Sequence, residues 1–318
     1  MRISNAKLKT FRRCAKQYDY KYVQKLRAKK RGVALERGSW IHELLMVHND
    51  GEDWRVRHAV LTQQFNNLFE EEREELGNLP DECARIMRAY LRTYKSDEER
   101  FRVIDTEMDE IVTLPNGLQL EVIIDVIVED IIDGGLWVRD YKTRRSFHDP
   151  AIIMRDPQLT LYYWAVEHMG YSPLRGAIVD EIRTKAPAIP ERLRTGGLTR
   201  RKNIDTDVYT YATEIRKHGL SIENYRDHLL HIAKSQHDRF FRRTAMPKDP
   251  PVIRTTMREA VETAQAIQMA ERTMRFPRTP DFTCEHSCEY ANLCLVQLYG
   301  GDGLGIIKQD FQVSNRYE

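Results

Sequence analysis

"LWVRDYKTRR", residues 136–145, decides how the chain is read. An apolar run with the character of a buried strand ends on Asp140, Tyr141 and Lys142, which sets a carboxylate and an ammonium two residues apart. Successive side chains on a strand alternate faces, so Asp140 and Lys142 share one face and Tyr141 takes the other. Charges drawn out of water must be paired, liganded or neutralised. A lone D-x-K is more often a strand-end ion pair that satisfies itself, so the flanking sequence has to decide.

Upstream, "FRVIDTEMDEIVTL" (101–114) and "GLQLEVIIDVIVED" (117–130) are rich in β-branched residues. With "GLWVRDYKT" (135–143), and with "PNG" and "DGG" as dividers, they predict three antiparallel strands joined by hairpins. Asp125 falls in the second strand among Ile123, Ile124, Val126 and Ile127, a poor place for a charge unless something binds it. Downstream, "RDPQLTLYYWAVEHMG" (155–170) predicts a helix with Asp156 as N-cap, Pro157 at N1 and Gly170 as terminator. Gln158 and Tyr162 are then i and i+4 on one face.

The rest of the chain is organised around this core. Residues 1–50 read as helical, with Ser4 and Ser39 as N-cap candidates, and 54–98 as helix broken near Gly77 and Pro80. "FEEEREE" (69–75) reads as a solvated helix face. "LRGAIVDEIRTK" (174–185) predicts a further strand and "APAIPERLRTGGLTRRKN" (186–203) a basic loop. Helices are expected over 208–242 and 255–275, and "YGGDGLGIIKQDFQV" (299–313) reads as a loop or tail. The parts group into one elaborated domain: an N-terminal helical part (1–50), a helical insertion (51–100), a core (101–185), a loop and helical region (186–275) and a terminal segment (276–318).

At 318 residues, 41% hydrophobic and 31% charged, the chain can bury a large core. No apolar run approaches the roughly 18 residues of a membrane span, and "MRISNAKLKTFRRC" lacks a signal-peptide apolar region, so a cytoplasmic protein is expected. The net charge of +2 says little, but residues 1–31 carry twelve Lys or Arg against the single acid Asp19, interleaved with Phe11, Tyr18, Tyr20 and Tyr22. That pattern suits a nucleic-acid strand, with phosphates on the cations and bases stacked on the rings. A solvated helix face with its tyrosines in the core accounts for it equally. Arg239, Arg242 and Arg243 form a second basic group. No G-x-x-x-x-G-K-[ST] occurs, which argues against an ATP-driven motor of that class.

Of five cysteines, Cys284, Cys288 and Cys294 lie within "CEHSCEYANLC", and in a cytosolic chain such clustering points to metal. Three thiolates are one short of a closed site, so Cys14 or Cys83 would complete it.

The words "GSWIHELL", "IIDVI", "VRDYKT" and "DPQLTLYYWAV", in that order, resemble the PD-(D/E)XK nuclease superfamily. Within it they resemble the RecB-like branch, which includes the RecB and AddB nuclease domains and CRISPR-associated RecB-family exonucleases. The resemblance implies a restriction-endonuclease-like α/β core, a mixed central sheet flanked by helices. It implies Mg²⁺ or Mn²⁺ held by His42, Asp125, Asp140 and the Tyr141 carbonyl, catalysis by Lys142, and DNA-facing roles for Gln158 and Tyr162. It further implies a [4Fe-4S] cluster on Cys14, Cys284, Cys288 and Cys294 that staples the terminal region, with zinc as the alternative and Cys83 a buried apolar residue. Two positions depart from the family pattern: the first C-terminal cysteine pair is one residue further apart, and Val122 stands where a glycine is common. The expected function is a metal-dependent exonuclease on single-stranded DNA ends, 5′ to 3′, in recombination, repair or phage DNA metabolism, with a recombination or replication protein as possible partner. The alternatives are a non-catalytic DNA-binding scaffold and a zinc-stapled endonuclease or RNA-directed enzyme on the same core.

Overall fold

The β-branched runs on either side of "PNG" and "DGG" do form strands. The structure, a computed structural model, describes residues 1–30, 32–114, 116–235 and 238–314, with the backbone alone at position 98. The strands are β1 (Arg2–Ser4), β2 (Leu26–Ala28), β3 (Phe101–Thr113), β4 (Gln119–Asp130), β5 (Gly135–Arg144), β6 (Leu174–Arg183), β7 (Phe241–Pro247) and β8 (Phe311–Val313). Six build a mixed sheet in the order β1-β4-β5-β6-β7 with β3 also on β4, and β2 pairs antiparallel with β8 apart from it.

One edge of β4 is filled along its length by β3, from Phe101↔Asp130 to Thr113↔Gln119. The other edge is shared. β5 pairs there only from Asp130↔Gly135 to Val126↔Arg139, and β1 takes Gln119–Glu121 in parallel. Residues 122–125 of β4 therefore have no strand partner on that edge. β5 continues instead beside β6, through Asp140↔Val179 and Lys142↔Glu181 to Arg144↔Arg183. The two strands fork one residue before Asp125 and Asp140 would meet.

A second irregularity falls at the same place. The β3–β4 register omits the pair Glu107–Asp125, and Glu107 adopts φ +43°, a left-handed conformation uncommon for a residue with a Cβ. Alternation by two would keep Val122, Ile124, Val126 and Val128 on one face. The first two pack instead with Val138, Leu161, Val179 and Ile267, and the last two with Leu44, Cys83, Met87 and Tyr141. The faces exchange at Asp125, and its charge enters neither core.

Helices Pro157–His168 and Pro250–Thr273 cover the first face of the sheet. Helices Val33–Asn49, Trp54–Asn66 and Leu79–Thr93 cover the second. Caps follow the sequence at Ser4, which accepts from the Lys7 N–H, and at Asp156, which accepts from that of Gln158. Among the described residues no helix is long and apolar enough to cross a membrane.

Four expectations are corrected. Ser39 caps nothing, because the helix already begins at Val33 with Gly32 at its N-cap and carries Ser39 in its interior. The helical stretch 208–242 breaks into Val208–Lys217, a 3₁₀ turn Ile222–Tyr225 and Arg226–Ser235, after which "FRRTAMP" forms β7 on the edge of β6. The "tail" contains helix Leu304–Asp310 and β8. Residues 1–50 include β1 and β2 as well as helices, since even a three-residue strand is stable where an open edge such as that of β4 receives it.

β7 explains its own cations. Asp180 and Glu181 on β6 have no exposed surface. Asp180 accepts from Tyr90 Oη and Arg243 Nε, each at 2.6 Å, and Glu181 accepts from Arg242 Nη2 at 2.6 Å and the His148 N–H at 3.0 Å. Arg239 pairs with Asp205 at 2.8 Å. Two of this basic group, Arg242 and Arg243, are thus spent on internal acids, because buried carboxylates require paired donors, while Arg239 meets a partly exposed one. Arg243→Ala strips Asp180 of its closest cation and is expected to cost about 3–5 kcal/mol, read as a lowered denaturation midpoint, whereas Arg239→Ala, at the surface, should cost under about 1 kcal/mol.

Candidate nuclease site

The fork brings together the residues that the sequence singled out. Lys142 Nζ stands 2.9 Å from each Asp140 oxygen and is angled to donate to Oδ1; Oδ2 is left buried without a hydrogen bond. Gln158 Nε2 reaches Asp140 Oδ1 at 3.3 Å and Tyr162 Oη at 2.7 Å. Across the fork, Asp125 Oδ2 accepts the Tyr141 N–H at 2.6 Å, in place of a ladder bond, and Asp125 Oδ1 lies 3.6 Å from His42 Nδ1. His42, Asp125, Asp140, Tyr141, Lys142, Gln158 and Tyr162 thus form one connected group.

The electrostatics are those of carboxylates and a lysine held away from water. Burial pushes the Asp140 carboxyl up to about 6, with Lys142 opposing and Asp125 adding to the rise. Burial works against the Lys142 charge, yet Asp140 and then Asp125 outweigh it and leave the ammonium above the ordinary lysine value. For His42 burial lowers the pKa, but the Asp125 hydrogen bond and charge reverse that and the net direction is upward. The Tyr162 phenol is raised by burial and by Asp140.

Each side chain has a local reason for its place. Tyr141 alternates to the opposite face, where its ring is buried and its hydroxyl meets Asn49 Nδ2 at 3.2 Å. The Asp156 cap fixes the helix start that carries Gln158. Gly38 lies one turn before His42, and a Cβ there would sit 2.9 Å from Thr143 Oγ1, so the glycine lets this helix close on β5 and bring His42 to Asp125.

A family model of the PD-(D/E)XK nuclease superfamily matches residues 2–295. The chain belongs to that superfamily. The mixed sheet flanked by helices is its restriction-endonuclease-like fold. A crystal structure of a "Putative exonuclease" from Eubacterium rectale is similar to this nuclease at a TM-score of 0.45 and 12% identity, over 90% of this chain and 87% of that one. No curated protein matches it.

The donor set of this nuclease fits a hard divalent cation: two carboxylates, a peptide carbonyl and an imidazole, with one carboxylate oxygen buried and unsatisfied. Among the described residues no three His, Cys, Asp or Glu side chains converge on one point as they stand, for Asp140 is turned onto Lys142 and Gln158. Sequence reasoning missed Glu107. Its carboxyl is at the surface, with its pKa raised by partial desolvation and by Asp125 opposite, and nothing in "DTEMDE" distinguishes it from a solvated strand residue.

Cys14, Cys284, Cys288 and Cys294 line a single cavity of about 180 Å³, together with Arg13, Tyr20 and Arg278, and Arg278 Nε donates to Cys294 Sγ at 3.3 Å. Cys83 lies apart, fully buried under the second face of the sheet, and burial pushes its thiol up to about 12. The tyrosines expected to stack on DNA do otherwise. Tyr18 and Tyr20 are buried, with hydroxyls donated to Glu271 at 2.8 Å and Gln297 at 2.7 Å, and Tyr22 packs on Tyr18. The core alternative for this amphipathic stretch is the one realised.

Gly38→Ala is expected to displace His42 and lower nuclease activity by about tenfold or more while the protein stays folded, because small misplacements of catalytic groups are costly. Thr143→Ala, which frees the space, should restore part of that loss in the double variant.

Proposed function

We propose that this nuclease is a divalent-metal-dependent DNA exonuclease acting on the ends of single strands, 5′ to 3′, in recombination, repair or phage DNA metabolism. The observation that carries the reading is the fork, where two carboxylates from diverging strands, a lysine and an imidazole are held in contact without closing into a finished ladder. His42, Asp125, Asp140 and the Tyr141 carbonyl would hold Mg²⁺ or Mn²⁺. Such an ion, when bound, supplies Lewis-acid activation of water and neutralises charge on the departing oxygen. Lys142, protonated and fixed by Asp140, stabilises the charge that builds on the phosphodiester under attack. Gln158 orients Asp140 and is itself held by the Tyr162 hydroxyl, and the two would face the strand. A free single-stranded end suits a chain without a Walker motif, which has no such motor to open duplex.

We propose that Cys14, Cys284, Cys288 and Cys294 hold a [4Fe-4S] cluster, with zinc as the alternative. Four thiolates suit either a cluster or zinc, and these four line one cavity. Its role here is a staple for the terminal segments.

Asp140→Asn and Lys142→Ala are expected to abolish cleavage of end-labelled linear single strands in Mg²⁺ while leaving binding nearly intact, since many phosphate contacts carry affinity and few groups carry chemistry. Asp125→Ala should in addition weaken Mn²⁺ binding. Covalently closed circles should resist; digestion of circles at the linear rate makes the enzyme an endonuclease, and near wild-type cleavage by either first variant removes the site assignment.

Protein purified without oxygen is expected to be brown, with about four irons per chain. Cys14→Ala, Cys284→Ala, Cys288→Ala or Cys294→Ala should bleach it, and Cys83→Ala should not. Stoichiometric zinc without iron would identify the alternative occupant.

A further inference from the structure

With the N-terminal tyrosines in the core and the β7 arginines spent on β6, the densest basic group still open to a strand is found between β6 and β7. Residues 192–202, in the segment between β6 and β7, carry Arg192, Arg194, Arg200, Arg201 and Lys202 and no acid. All five are exposed. The side chains of Arg192, Arg194, Arg201 and Lys202 make no ion pair or hydrogen bond with any described residue.

The turn that presents them is rigidly framed. Arg192 and Leu198 form a β-bridge, Gly196 takes φ +86° at the tip, and Leu198 is buried with Tyr211, Ile215, Tyr225 and Ile232 in a small core of its own. The Leu198 N–H donates to Tyr225 Oη at 2.8 Å and Tyr211 Oη donates to the Thr199 carbonyl at 2.7 Å. Arg200 works inward, with Nη2 on the Asn224 carbonyl at 2.7 Å and its guanidinium 4.6 Å above the Tyr225 ring. This segment leaves the sheet after Arg183, the partner of Arg144 two residues beyond Lys142, and returns at Phe241 opposite Ile182. It hangs from the end of the sheet that bears Lys142.

Like charges collected in a pre-formed turn repel one another, and no described residue pairs with the side chains of Arg192, Arg194, Arg201 or Lys202. A polyanion does, by exchanging condensed counterions for fixed cations. We propose that the turn 192–202 is a phosphate-backbone contact for the DNA strand outside the cleavage site, gripping it without reading sequence. The inference rests on the proposed DNA substrate.

The test replaces Arg192, Arg194, Arg201 and Lys202 together by Gln and keeps Arg200, which braces Tyr225. Binding of the full chain to a fluorescent single strand several tens of nucleotides long is measured in chelator across a series of KCl concentrations. The slope of log K against log salt is expected to fall by about 3, and affinity at the lowest salt by about tenfold or more. Cleavage of a strand too short to span from the site to the turn should be unchanged. Arg194→Gln alone, a single exposed substitution, should lower the slope by about 0.7 and secures the result if the quadruple variant misfolds. Unchanged slope and affinity overturn the proposal. So does turn-dependent binding to phosphatidylserine vesicles with no effect on DNA. If wild-type protein binds the strand through this turn but never cuts it, the exonuclease reading fails and the contact stands.

Discussion

The molecule depends on one unfinished ladder. β4 and β5 pair for five residues and then separate: β6 draws β5 away, β1 takes only the far end of that β4 edge, and residues 122–125 between them are left without a strand partner there. Backbone groups left without strand partners must be satisfied otherwise, and the Tyr141 N–H is satisfied by the Asp125 carboxylate. The acid thus replaces a strand at the mouth of the fork, and the exchange of faces at Asp125 keeps its charge out of both hydrophobic layers. A sheet that paired perfectly would have nowhere to keep these groups.

The neighbouring strand bears its own charge. Asp180 and Glu181, adjacent on β6 and fully buried, point to opposite faces, and each is met by the β7 arginine of matching parity: Arg243 on one face, Arg242 on the other. Buried ion pairs are poor sources of net stability, but a broken one is expensive, so they act mainly to exclude other registers. Glu181 also accepts the His148 N–H, which steadies the loop between β5 and the helix carrying Gln158.

How legible this was depended on whether the signal was local. β3, β4, β5 and β6 stood out because β-branched alternation and Gly-bearing turns are written in consecutive residues. The group His42, Asp125, Asp140, Lys142, Gln158 and Tyr162 was legible through its order along the chain. β7 was not, since its two arginines read as a basic group for a phosphate backbone until the acids opposite them are known. Tyr18 and Tyr20 could be assigned to core or ligand only once Glu271 and Gln297, more than 250 residues away, were placed beside them. Glu107 is a matter of backbone conformation, which no neighbouring residue announces.

The terminal packing has a consequence for synthesis. β1, the strand that holds β4 open, leads straight into helix Asn5–Arg13 and the turn at Cys14. That segment is anchored by groups made more than 250 residues later: the Pro277 carbonyl, which accepts from the Lys16 N–H at 3.1 Å, Glu271 and Gln297. Contacts of such sequence separation form late. A nascent chain that already contains Asp125, Asp140 and Lys142 therefore still lacks the clamp that steadies the mouth of its fork until residues 271–297 have been made.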